Sequence, residues 1–74
     1  MRKGQLLKAD CDLYLSVCPE DDSMTYVEKG SVVIFIKAYK EEDFTNIVLL
    51  FEDIICNFTL SKLDEIEEFF LCVL

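Results

Sequence analysis

The side chains with the greatest chemical reach in this sequence are four cysteines, Cys11, Cys18, Cys56 and Cys72, and two close-set groups of carboxylates. A cysteine nucleophile needs a base or a local positive field to become thiolate, and the chain has no histidine. The same lack, with no Cys-x-x-Cys spacing, leaves no set of zinc ligands. Glu20, Asp21 and Asp22 stand in a row. Ca²⁺, however, takes six or more oxygens from a spaced loop with a closing Glu, and that pattern is missing. Glu67 and Glu68 are adjacent, so their side chains point apart on a helix or a strand and cannot flank one bond as acid and base. No catalytic residue, metal ligand or cofactor is expected, and the thiols are expected to be reduced and structural. Asn57-Phe58-Thr59 fits the glycosylation pattern and is read as coincidence in a cytoplasmic protein, because nothing near Met1 resembles a secretory signal.

The balance of charge narrows the classes of partner. Fifteen Asp and Glu against seven Lys and Arg give a net charge of −8, the wrong sign for phosphate backbones or anionic membrane surfaces. No apolar run approaches the length of a membrane helix. At 53% hydrophobic residues the chain is nonetheless no disordered tail. Arg2, Lys3 and Lys8 set residues 1–8 apart as a basic leader, and residues 9–74 read as one domain.

Those side chains must be held by a few short elements. Cys11, Leu13, Leu15 and Val17 alternate with Asp12, Tyr14, Ser16 and Cys18, the period of a half-buried strand, and Pro19 would end it. Residues 19–31 read as a polar connection long enough to be functional. Val32 to Ile36 suits either a buried strand or, with Ser31 as N-cap, the start of a helix. Phe44, Ile47, Val48, Phe51, Ile54, Ile55 and Phe58 recur at three- and four-residue steps, which predicts an amphipathic helix with Asp43 as its N-cap. At the end, Leu63, Ile66, Phe69 and Phe70 have helical spacing behind a capping-box pattern at Ser61-x-x-Asp64, yet residues 69–74 would also suit a strand.

Ala9-Asp10, Ser16, Pro19, Ser23 and Gly30-Ser31 reproduce without a gap the spacing that opens the small subunit of caspases, and on these residues the chain resembles that family. The resemblance implies an α/β half-domain, a short sheet with two packed helices: a strand near 10–18, a groove-equivalent loop at 19–30, helices within 31–58, and a strand or helix near 59–72. It implies a substrate groove at Ser23, Met24 and Thr25, where the family has serine, tryptophan and arginine. Thr25 lacks the guanidinium fork that clamps a substrate aspartate, and Asp22 beside it would repel one.

The family's catalytic His and Cys belong to the large subunit. The expectation is therefore a catalytically inactive small-subunit homologue that pairs with a caspase chain, or with itself, and modulates activation. The expected interface lies at Leu63, Ile66, Phe69 and Phe70. The alternatives are the small-subunit fragment of an active aspartate-directed protease, which Thr25 argues against, and an unrelated acidic α/β interaction module.

Overall fold

Between residues 45 and 60 the sequence is apolar at so many positions that a helical stripe and a strand alternation both fit it. The computed structural model, which describes residues 2–17 and 23–73, resolves this in favour of strands throughout. Among the described residues the chain is all-β, a curled antiparallel sheet of seven strands forming a half-barrel, with one short 3₁₀ helix. The strands are β1 (Leu6–Ala9), β2 (Leu13–Val17), β3 (Met24–Val27), β4 (Val32–Lys40), β5 (Thr45–Phe51), β6 (Ile54–Leu60) and β7 (Phe70–Val73), with the 3₁₀ helix at Leu63–Glu68 before the last. Their order across the sheet is β3-β2-β6-β5-β4-β1-β7.

The expected α/β half-domain with two packed helices is thus corrected. The stripe from Phe44 to Phe58 is a hairpin, β5 against β6, folded at Glu52-Asp53 so that Phe51 faces Ile54. Both turn residues have positive φ, +48° and +68°. That is the mark of the tight two-residue turn whose twist matches that of the flanking strands. The turn restores the alternation on each side of it. Ile47, Leu49 and Phe51 on β5, then Cys56 and Leu60 on β6, are buried, and register places them all on one face. β-branched Thr45, Ile47, Val48, Ile54, Ile55 and Thr59 favour this surface over a helix, where their χ1 freedom is lost against the preceding turn. The expected polar connection at 19–31 contains β3, while residues 18–22 lie outside the described residues. The basic leader overlaps β1, whose Leu7 is in the core.

A single bent hairpin organises the sheet. Leu6, Leu7 and Lys8 face Ile34, Val33 and Val32. Five residues further along, Leu13 to Ser16 face Val27 to Met24 with the same offset. Between the two halves lies a corner. There Gly30, at φ +95°, donates its N–H to the Ala9 carbonyl, and Ser31 N–H reaches back to the Glu28 carbonyl. The Asp12 carboxylate accepts the Lys29 N–H at 2.8 Å. Beyond the corner, β2 leaves the plane and pairs with β6 through Ser16 and Val17, which curls the sheet over its own apolar face. A bulge between Phe35 and Lys37 adds to the bend in β4. Inside the curl, Leu7, Leu15, Val27, Val33, Ile47, Leu49 and Cys56 are fully buried.

Near the end of the chain, the Ser61-x-x-Asp64 box is corrected by one residue. Glu65 is the side chain that reaches back, accepting the N–H groups of Ser61 and Lys62. This short helix caps one mouth of the curl with Ile66, and Phe58 meets Phe69 and Phe70 edge-on at 5.1 and 5.8 Å.

The turn gives a test whose sign separates hairpin from helix. Asp53→Gly, made together with Glu52→Asn, removes left-handed strain of about 1–2 kcal/mol and should raise the melting temperature by several degrees. In a helix the same glycine would cost about 1 kcal/mol. Thermal unfolding followed by circular dichroism distinguishes the two.

Candidate functional site

Among the described residues, the bent hairpin leaves β3 at one end of the sheet with a free edge. Val17 N–H bonds to the Ser23 carbonyl, and antiparallel pairing alternates, so the main-chain groups of Thr25 and Val27 turn toward β2. Those of Met24 and Tyr26 therefore turn outward. The side chains of the same two residues are exposed, at 57% and 46%, and Tyr14, opposite Tyr26 on β2, is 63% exposed. The two tyrosine rings lie 5.3 Å apart at 49°. This edge thus offers unpaired main-chain groups and a sulfur-aromatic surface together.

Carboxylates border this surface. Partial desolvation comes first, then the charge of Asp12 and a hydrogen bond to it, then Glu28; together they raise the Tyr26 phenol above its ordinary value. Asp12 therefore serves two ends, holding the corner through Lys29 N–H and standing beside the Tyr26 hydroxyl. A cation placed over the tyrosine faces would meet both the ring quadrupoles and these charges.

The residues expected to form a groove fall apart in function. Ser23 precedes β3 and its carbonyl anchors Val17, Met24 lies on the outer face, and Thr25 is half-buried on the inner side opposite Leu15. Only Met24 of the three faces the candidate surface. Tyr14 and Tyr26 were the missed members. Their signal was the alternation Met24-Thr25-Tyr26-Val27, which mirrors that of residues 13–17 across the Pro19 region.

The four expected interface residues separate as well. Ile66 and Phe70 are buried in the chain's own core and Phe69 packs against it, so their apolar surface needs no partner to cover it. Leu63 is exposed and borders a shallow depression of about 240 Å³ with Ala38, Tyr39, Lys40 and Thr45. Among the cysteines, Cys11 is half-buried and Cys72 exposed, neither in a disulfide, while the buried Cys56 thiol donates to the Ile54 carbonyl. Cys18 lies outside the described residues. Asn57 sits half-buried within β6 rather than on the surface loop where a glycosylation acceptor is usual. Among the described residues, no three acidic or sulfur ligands converge, and no helix is long and apolar enough to cross a membrane.

No family model, curated protein or solved structure matches this chain.

The raised Tyr26 phenol yields a prediction. A group whose folded pKa lies above its unfolded value stabilises the fold while protonated. Its contribution is complete below the unfolded pKa and is lost as pH rises through the folded value. Tyr26 should therefore titrate above pH ~10 in an ultraviolet titration, and stability should fall across that alkaline window. Asp12→Asn should bring the Tyr26 titration down.

Proposed function

We propose that the chain is a non-catalytic interaction module whose β3 edge takes up an extended, cationic segment of a partner protein as an added strand. The observation that carries this reading is the coincidence, on one edge strand, of outward main-chain groups with exposed Met24, Tyr26 and Tyr14 beside Asp12 and Glu28. Strand addition supplies affinity through main-chain hydrogen bonds and specificity through alternate side chains. Tyrosine and methionine are enriched at interface cores, and a cation is stabilised over an aromatic face. A net charge of −8 adds long-range attraction for a basic partner. The absence of histidine supports a binding role over hydrolysis, since neither thiols nor carboxylates have an imidazole partner.

The caspase reading also places a peptide-binding groove at residues 23–25. Its further content rested on a small-subunit fold of sheet and two helices, and the chain has another fold. Without the helices that follow Gly30-Ser31 in that family, the match over residues 9–31 carries no catalytic partner across.

Peptides of alternating Lys and Val, and of alternating Glu and Val, supply the test. The Lys peptide should bind, shifting the amide resonances of Met24 and Tyr26, and should bind more weakly as salt rises. Tyr14→Ala with Tyr26→Ala should lower its affinity about tenfold, the equivalent of about 1.4 kcal/mol. Equal binding of the Glu peptide, or shifts confined to the depression beside Leu63, would overturn the assignment.

A further inference from the structure

The opposite end of the sheet, β7, is among the described residues a free edge of different chemistry. Phe70-Leu71-Cys72-Val73 carries no charge, no proline and no bulge, the devices that usually keep an open edge from pairing. Asp10 N–H bonds to the Phe69 carbonyl. By alternation the main chains of Leu71 and Val73 then turn toward β1, and those of Phe70 and Cys72 turn away from it.

We propose that this edge joins two copies of the chain as antiparallel strands about a two-fold axis, centred on Leu71. In that register the N–H and C=O of Phe70 face those of Cys72 in the second copy, and the converse, so both outward residues of each strand are satisfied at once. Leu71 faces Leu71 of the second copy as a non-hydrogen-bonded pair, the closer of the two antiparallel spacings.

A second copy is favoured over another occupant by where the charges lie. The connections elsewhere in the described chain carry carboxylates: Asp10 and Asp12, Glu28, Glu41 to Asp43, Glu52 and Asp53, and Asp64 to Glu68. Two copies meeting at those places would set like charges together, whereas β7 brings none into contact. The outer face beside it is aliphatic, since Val73, Leu6, Ile34, Leu50 and Ile55 stand in one cross-strand row over five strands. The inference does not rest on the caspase resemblance: of the interface residues expected from it, Leu63, Ile66, Phe69 and Phe70, only Phe70 lies in β7.

Four residues per copy make a small interface, so the dimer is weak. Sedimentation velocity from about 10 to 500 µM should show monomer passing to dimer. Leu71 is 49% exposed and lies opposite Lys8 on β1, so Leu71→Glu leaves the core intact and pairs with an opposite charge within the monomer. By setting two carboxylates directly opposite across the two-fold axis, it should weaken dimerisation at least tenfold with the monomer still folded. Leu71→Cys should cross-link two copies under mild oxidation, because the facing Cα atoms fall within disulfide range, with peptide mapping locating the bridge at position 71 in both. A parent chain monomeric throughout, a Leu71→Glu variant that dimerises like the parent, or a position 71 that does not cross-link would each overturn the proposal.

Discussion

The pairing of residues 6–16 with residues 24–34 holds one offset on both sides of a corner, and from that continuity the other features follow. Were the offset to slip by one residue at the corner, one half of the hairpin would turn its apolar set outward, because side chains alternate with a period of two. Asp12 and Gly30 hold the corner. The first accepts Lys29 N–H, and the second adopts a backbone conformation that a residue with Cβ reaches only with strain. With the offset kept, Leu7, Leu13, Leu15, Val27 and Val33 all face inward. The bend also carries β2 across to β6, so that an 8.6 kDa chain covers most of one sheet face with another part of the same sheet.

Curling also decides what is left over. A sheet closed fully on itself has no edges. This one ends at β3 and β7, and both candidate surfaces are there. Each edge exposes the main chain of alternate residues, yet the side chains differ. The β3 edge is aromatic and bordered by carboxylates, while the β7 edge is aliphatic and uncharged. One suits a cation-bearing strand and the other suits its own copy. The two proposals therefore occupy opposite ends of one sheet and do not compete.

Asp12 ties architecture to chemistry. Its carboxylate fixes the corner of the hairpin and stands against the Tyr26 hydroxyl, so the charge that helps define the fold also gives the β3 edge its electrostatic character. Loss of that side chain would act on both. The conservative change to Asn keeps an oxygen for the Lys29 N–H while removing the charge, and so separates the two roles.

Several features were legible in the sequence itself. The alternation at residues 11–18 pointed to a strand, found at Leu13–Val17 with Leu13 and Leu15 buried and Tyr14 outward. The acidic balance and the missing histidine are likewise read from the residues alone, and they enter the proposal of a cationic partner without reference to any fold. The element type of residues 32–60 was not legible, because β5 is buried on both faces and its run from Ile47 to Phe51 is apolar at every position, so it satisfies the helical period too. What separates the readings is the reversal at Glu52-Asp53, where neither residue is the Gly or Asn that ordinarily announces such a turn. Only long-range pairing of β5 with β6 and β4 makes that strained turn favourable, and such pairing is a property of the assembled sheet. The meeting of Tyr14 with Tyr26, and of Asp12 with both Lys29 and Tyr26, likewise depends on a register fixed across the corner, so tertiary structure alone brought the candidate site together.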